Sequence, residues 1–309
     1  MTKIGYLVPT RENIMRGEHS ARPLIEASQY AEGLGYDSLW IGDSLFSRPR
    51  HDPLTLLAGV AAAVPRVELG TAVLLPALRN PVLLAQQLAT IDQISEGRLI
   101  VGAGIGADLP PIHAEFKAAS VPFEKRVGRM NEGFDLCRAL WTGEPVTWNG
   151  RWDLNDVVMA PVPHRPGGPP IWMAANVDPG VQRAARLYDG WFPIGPTAQV
   201  IKERHALLVD TATEAGRTVP TTAVYLTVSV GDAGEDCDQQ INTYLETYYG
   251  MPANIMRQVQ ACFGGTIAEV LDFIRSFVEA GADHIVLRLV GDHQKTLATI
   301  ARHRDELAA

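Results

Sequence analysis

Strand and helix patterns alternate along this chain from end to end, and that alternation limits its fold more than any other feature. The stretch Arg79 to Gly106, RNPVLLAQQLATIDQISEGRLIVGAGIG, shows how one unit reads. Leu83, Leu84, Leu88, Ile91 and Ile94 recur at helical spacing, so one face is apolar. Ser95-Glu96-Gly97 stops the helix, with Gly97 where a left-handed residue is wanted. Leu99 to Val101 then form an apolar strand core, and Gly102, Gly104 and Gly106 follow it. Glycine at the C-terminal end of a strand lets a flat ligand or a phosphate come close to the backbone.

The same reading over the whole chain predicts strands at Ile4–Val8, Ser38–Ile41, Val67–Leu75, Leu99–Gly102, Ile171–Ala175, Trp191–Ile194, Ala223–Val230 and His284–Leu289. Helices are expected between them, at Ala21–Leu34, Pro53–Val64, Pro81–Ile94, Val121–Leu140, Val181–Tyr188, Thr197–Ala215, Thr266–Ala280 and His293–Leu307. Eight such units predict an α/β chain folded as a (β/α)8 TIM barrel, with an open doubly wound sheet as the alternative. Residues 1–309 form one domain on this reading. Two excursions interrupt the rhythm, at about 142–170 and 231–265, and both are expected at the C-terminal face. The first is rich in Pro, Gly and Trp and too short for a core of its own. The second carries helical patterns at Asp236–Tyr249 and Ala253–Cys262, and Tyr244, Tyr248 and Tyr249 suit a mobile lid.

A formal net charge of −8 without any Lys/Arg block argues against nucleic acid and anionic membrane as partners. Three widely spaced cysteines, Cys137, Cys237 and Cys262, make no disulfide framework and suit a reducing cytoplasm. Met1-Thr2-Lys3-Ile4 leads straight into a strand, so no signal peptide is expected, and no apolar run approaches a membrane span. The eight histidines show no metal-ligand spacing, and neither a GxSxG elbow nor a GxxxxGK[ST] loop occurs. A barrel with glycines at its active edge and no evident protein nucleophile suits an enzyme whose cofactor carries the chemistry.

Several residues stand out one by one. Gly102-Ala103-Gly104-Ile105-Gly106 is either a close-packed strand end or a floor beneath a planar ring; Pro110-Pro111 argues against a long helix cradling a pyrophosphate there. Asn176 or Asp178 can cap a helix that has Pro179 in its first turn, and an uncovered helix start suits a phosphate. Asp43 ends the second strand, where barrel enzymes collect catalytic groups. Arg11, Glu12, Asn13, Arg16, Glu18 and His19 crowd the loop after the first strand, as substrate contacts or as a solvated loop. Arg126 and Arg129 suit either an anion or surface ion pairs. Arg288 lies inside an apolar strand, and a buried arginine needs an anionic partner, structural or ligand.

The chain also resembles the luciferase-like flavin oxidoreductases. The resemblance is carried by Arg79–Gly106, by Tyr36-Asp37-Ser38-Leu39-Trp40-Ile41-Gly42-Asp43, by Leu69-Gly70-Thr71-Ala72-Val73, and by Ala184-Ala185-Arg186 with Asp189-Gly190-Trp191. It covers roughly Lys3 to Pro196. The resemblance implies a (β/α)8 barrel and a cofactor ring over Thr71, Ala72 and Val73, where the family often has a non-prolyl cis peptide, near Ala72–Val73. It implies further cofactor contacts at Gly104, Ile105 and Gly106, and a phosphate side at Ala174, Ala175, Asn176 and Gly195. Many relatives carry an Asp-His pair where this chain has Asp43-Ser44, so a proton-transfer role for that histidine does not carry over. Ser44 is a poor proton shuttle, and His51 is the substitute available in the same loop.

The resemblance implies a flavin-dependent monooxygenase that uses reduced FMN and O2 on a small organic substrate, supplied with reduced flavin by a separate reductase. Two alternatives stand beside it: hydride transfer with the deazaflavin coenzyme F-420, and a non-catalytic ligand-binding relative. A homo-oligomer is compatible with all three.

Overall fold

The structure, a computed structural model, describes residues 2–307. Its elements run β1 (Lys3–Leu7), α1 (Thr10–Met15), α2 (Arg22–Gly33), β2 (Ser38–Ile41), α3 (Pro53–Ala63), β3 (Glu68–Thr71), α4 (Pro81–Ile94), β4 (Leu99–Ala103), α5 (Pro110–Ala118), α6 (Arg126–Leu140), β5 (Val146–Asn149), β6 (Asp153–Val157) and β7 (Ile171–Met173). The second half continues with α7 (Asp178–Leu187), β8 (Gly190–Trp191), α8 (Ala198–Glu214), β9 (Thr221–Val230), α9 (Cys237–Tyr249), α10 (Ala253–Met256), β10 (Ala261–Gly265), α11 (Ile267–Glu279), β11 (His284–Leu289) and α12 (His293–Arg302). The fold is a (β/α)8 barrel, with strand order β11-β1-β2-β3-β4-β7-β8-β9 and β9 pairing back on β11. No helix among the described residues is long and apolar enough to cross a membrane.

The chain parts into two compact units, Met1–Trp40 with Ile171–Ala309, and Ile41–Pro170. In the first, β11 lies between β1 and β9, and every paired strand is parallel. Its core centres on Trp40, whose ring lies 5.3 Å from Trp172, 5.0 Å from Phe192 and 5.5 Å from His284. Each such aromatic contact is worth about 0.5–1.5 kcal/mol beyond area burial. Trp40 Nε1 donates to Ser38 Oγ at 2.7 Å, and Ser38 Oγ lies 2.6 Å from His284 Nε2. A Cβ at Gly5 would run into that hydroxyl, so glycine is required on β1 for the network to close.

In the second unit, the local stops and starts follow the sequence. Asp52 accepts from Thr55 N to cap α3, and Asn80 accepts from Val82 N to cap α4. Glu96 and Gly97 both have positive φ, 53° and 80°, at the predicted break after α4. Trp141 Nε1 donates to Ala85 O at 3.0 Å, fastening the end of α6 to α4.

Several expected elements differ. The predicted Val121–Leu140 helix starts only at Arg126, and a separate helix, α5, precedes it. Pro110 and Pro111 open the nine-residue α5, because proline fits the first turn, where N–H groups have no intrahelical partner. The excursion at 142–170 contains an antiparallel hairpin, β5 with β6, turning at Gly150. Ala253–Cys262 is not one helix: α10 ends at Met256, and Ala261–Gly265 is a strand parallel to β9. The six-residue α1 stands where a loop was expected. Val67–Leu75, Ile171–Ala175 and Trp191–Ile194 are replaced by the shorter Glu68–Thr71, Ile171–Met173 and Gly190–Trp191; beyond Thr71 the pairing with β4 resumes only as a bridge between Leu74 and Ala103. The three cysteines are free thiols.

Candidate functional site

In the Ile41–Pro170 unit, the ends of β2, β3 and β4 are stitched together by backbone and side-chain bonds. Ala72 N donates to Ile41 O, Thr71 Oγ1 to Gly102 O, Leu74 N to Gly102 O, and Gly104 N to Leu74 O, all at 2.7–2.8 Å. Ala72–Val73 is a cis peptide bond, at the position the family resemblance implies. Thr71, Ala72, Val73 and Gly104 therefore lie on one connected edge. Gly106 has φ 76°, and a Cβ there would meet Ile112 Cγ2 at 3.0 Å, so close packing against α5 calls for glycine. Ile105 lies between these two glycines, half-buried.

Asp43 begins the loop after β2. Its carboxylate accepts from Leu75 N at 2.9 Å and from both arms of Arg79. Arg79 reaches on to Asp52, at 3.3 Å. Burial works to lower the Arg79 pKa, but the carboxylates of Asp43 and Asp52 outweigh it and raise it. His51 is half-buried just before Asp52. Ser44 is engaged elsewhere: its hydroxyl donates to Glu115 Oε1 at 2.8 Å and accepts from Arg48 N at 2.9 Å. Glu115 Oε1 also accepts from Phe46 N and Ser47 N. Burial pushes this carboxyl's pKa up, and these donors together pull it below its ordinary value. Ser44 thus pins its own loop, and Glu115 is the residue that sequence reasoning missed. Its one signal is a carboxylate between Ile112 and Phe116 on the buried side of α5.

In the other unit, Ala174, Ala175 and Asn176 follow β7. Ala175 O accepts from Trp191 Nε1 at 2.8 Å, and Asn176 Oδ1 accepts from Ile194 N at 3.0 Å. These bonds join Ala174–Asn176 to the segment that carries Gly195. A Cβ at Gly195 would lie 2.5 Å from Ile201 Cδ1, so a larger residue there would have to displace the end of that side chain on α8. The N-cap of α7 is Val177, neither Asn176 nor Asp178, and no side chain caps it. Asn176 is spent on Ile194, so the first N–H groups of α7 keep no side-chain acceptor.

The same unit gathers a second group, which sequence reasoning signalled through Arg288, the α9 tyrosines and Glu12 of the segment after β1. Arg288 Nη1 donates to Tyr249 Oη at 2.7 Å and Nη2 to Tyr248 Oη at 3.2 Å. Its guanidinium carbon lies 4.2 Å from the Tyr248 ring centre and 4.8 Å from that of Tyr225. Burial opposes its charge, yet the surrounding tyrosine hydroxyls carry its pKa well above the ordinary value. Tyr244 Oη donates to Glu12 Oε1 at 2.5 Å. Tyr6 Oη lies 2.8 Å from His293 Nδ1, and burial lowers the pKa of His293.

Residues 2–284 match the model of the luciferase-like monooxygenase family. Among curated proteins, the F420-dependent glucose-6-phosphate dehydrogenase of Amycolatopsis mediterranei (strain U-32) is 34% identical over 199 residues, 62% of this chain and 57% of that protein. Its namesake from Kineococcus radiotolerans is 38% identical over 180 residues, 54% of this chain and 51% of that protein. The chain thus spans about half the length of the curated relatives it matches. Among solved structures, the monooxygenase RslO1 from Streptomyces bottropensis superposes with a TM-score of 0.81 at 26% identity, covering 99% of this chain and 100% of its own. The match over most of its length, with the barrel that carries it, makes this chain a member of the luciferase-like monooxygenase family of oxidoreductases.

Proposed function

We propose that this protein is an oxidoreductase that works with the deazaflavin coenzyme F-420 on a small organic substrate. The observation that carries this reading is its 34–38% identity to enzymes named for dependence on that coenzyme. When bound, the coenzyme supplies hydride transfer without oxygen, so the protein needs to position a ring and a substrate rather than provide a nucleophile. Each of the two units has residues that suit one part of such a group. Ala72 and Val73 are half-buried and suit contact with a planar ring, with Thr71 and Gly104 on the same hydrogen-bonded edge. The uncapped start of α7, beside Ala174, Ala175, Asn176 and Gly195, suits the phosphate side.

A helix terminus contributes about 0.3–1 kcal/mol to an anion, and up to ~2 when partly buried. Micromolar affinity needs about 8 kcal/mol, so the ring supplies most of the binding. The phosphate-free riboside of the deazaflavin is therefore expected to bind, more weakly than the coenzyme. Asn176→Asp keeps the acceptor for Ile194 N and adds a charge at the start of α7. It should weaken coenzyme binding by about three- to tenfold and leave the riboside nearly unaffected. Equal losses for both ligands would count against the phosphate placement.

The second reading, a monooxygenase using reduced FMN and O2, draws on the full-length likeness to RslO1. Side-by-side titration with reduced coenzyme F-420 and reduced FMN, followed by oxygen electrode, separates the two. Tight coenzyme F-420 binding without oxygen uptake supports the first. FMN binding with substrate-dependent oxygen uptake replaces it by the second, and binding of neither would sink both.

A further inference from the structure

Arg288 is 6% exposed, and among the described residues no carboxylate pairs with it. Its Nη1 and Nη2 each donate to one tyrosine hydroxyl, while its Nε has no partner. The hydroxyl of Tyr225, also 6% exposed, has no partner either, and neither does Gln260 Nε2, on a residue 2% exposed. These groups belong to one cluster. The guanidinium lies over the Tyr225 ring, and Tyr249 Oη, which accepts from Arg288, donates onward to Gln260 Oε1 at 3.4 Å. Glu12, the carboxylate bonded to Tyr244, accepts from that tyrosine and not from Arg288.

A buried charge without a counter-charge is expensive, and buried donors without acceptors are rare in native proteins. Ring faces offset part of the cost, but they leave Nε–H and the Tyr225 hydroxyl unsatisfied. Both lie on strands, Tyr225 in β9 and Arg288 one residue before the end of β11, whereas Tyr244, Tyr248 and Tyr249 come from α9. Rigid strands thus hold the polar groups, and the excursion supplies the aromatic wall.

We propose that Arg288 Nε and the Tyr225 hydroxyl bind the carboxylate of the substrate, a small organic acid with an aromatic or alkyl body. Two free donors match the two oxygens of a carboxylate, and the tyrosine rings match an apolar body. The proposal deepens the oxidoreductase reading and rests on it, because it names the class of compound that the enzyme acts on.

Titration calorimetry with benzoate, benzamide and inorganic phosphate tests this on the full chain. Benzoate is expected to bind at least about tenfold tighter than benzamide, and phosphate not to displace it. Equal binding of benzoate and benzamide, absence of benzoate binding, or displacement by phosphate would each overturn the proposal. Tyr225→Phe removes a hydroxyl that has no partner, so its melting temperature should not fall, while benzoate affinity drops about five- to tenfold. Undiminished affinity in that variant overturns the proposal even if Arg288→Gln fails to fold. Coenzyme F-420 is titrated separately into the unaltered protein. Binding of the coenzyme without benzoate overturns the carboxylate site alone, and benzoate without the coenzyme overturns the proposed function and leaves the site standing.

Discussion

Arg79 holds Asp43 with both arms of its guanidinium, Nη1 at 2.5 Å from Oδ2 and Nη2 at 3.2 Å from Oδ1. Only 3% of the Asp43 side chain is exposed, so the pair fixes the first turn of the loop after β2 from inside. The carboxylate at the position richest in catalytic promise is thus committed to an ion pair and to Leu75 N.

Arg79→Met leaves that carboxylate buried without its cation. Removing one partner of a buried pair costs about 3–5 kcal/mol, so the urea midpoint should drop sharply. Asp43→Asn, which still accepts from Leu75 N, should cost less. The reverse order of the two losses would contradict the pairing as the main anchor.

Glu115 links acid stability to the Ser44 loop. Its folded pKa lies below the ordinary 4.5, so it stabilises the fold above that value. The contribution fades as the pH falls from about 4.5 through the lowered folded value. In Glu115→Gln, unfolding free energy should be lower than in the parent at pH 7, and the gap should narrow by pH 3.5. A gap that stays constant between these two pH values would show that the carboxylate's charge is not what holds the loop.

His284 works over a wider pH range. Burial lowers its pKa from 6.5 to about 3, with the Lys3 charge adding to the effect. The unfolded chain takes up a proton that the folded one refuses, so stability is full above pH 6.5 and is lost progressively toward pH 3. His284→Phe keeps a ring against Trp40 and Trp172 and cannot titrate. The variant should be less stable than the parent at pH 8 and close the gap by pH 5, as read by thermal melts. Parallel curves would mean that His284 protonates with little cost.

Tyr244 and Glu12 tie α9 to α1. A hydrogen bond to a charged group contributes about 1.5–3 kcal/mol, so Tyr244→Phe should speed amide exchange across Cys237–Tyr249. The β9 and β11 amides should keep their protection. Unaltered exchange in α9 would show that this bond does not restrain the proposed lid.

What could be read from the chain alone was local. The apolar spacing of α4, its stop at Ser95-Glu96-Gly97 and the strand that follows are properties of adjacent residues, and the structure reproduces them. Periodicity was a poor guide where an element depends on a distant partner. Ala261–Gly265 is a strand only because Leu226–Val230 of β9 lies beside it, and its sequence ACFGG has no period of its own. The six-residue α1 lacks a side-chain cap, and its end is tied by Arg16 N and Glu18 N donating to Asn13 O.

The amino-acid sequence by itself determined the alternation of strands and helices, which fits a barrel or an open doubly wound sheet, and the small residues at Ala174–Asn176, because these depend on side-chain pattern and size within a few positions; closure through β8, β9 and β11 was decided by the tertiary structure. Tertiary structure alone decided what the charged groups do. Ser44 meets a glutamate 71 positions away, Asp43 an arginine 36 away, and Arg288 two tyrosines 39 and 40 away. Electrostatic partnership depends on distance through space and on exclusion of water, and neither is written in the spacing of residues along a chain.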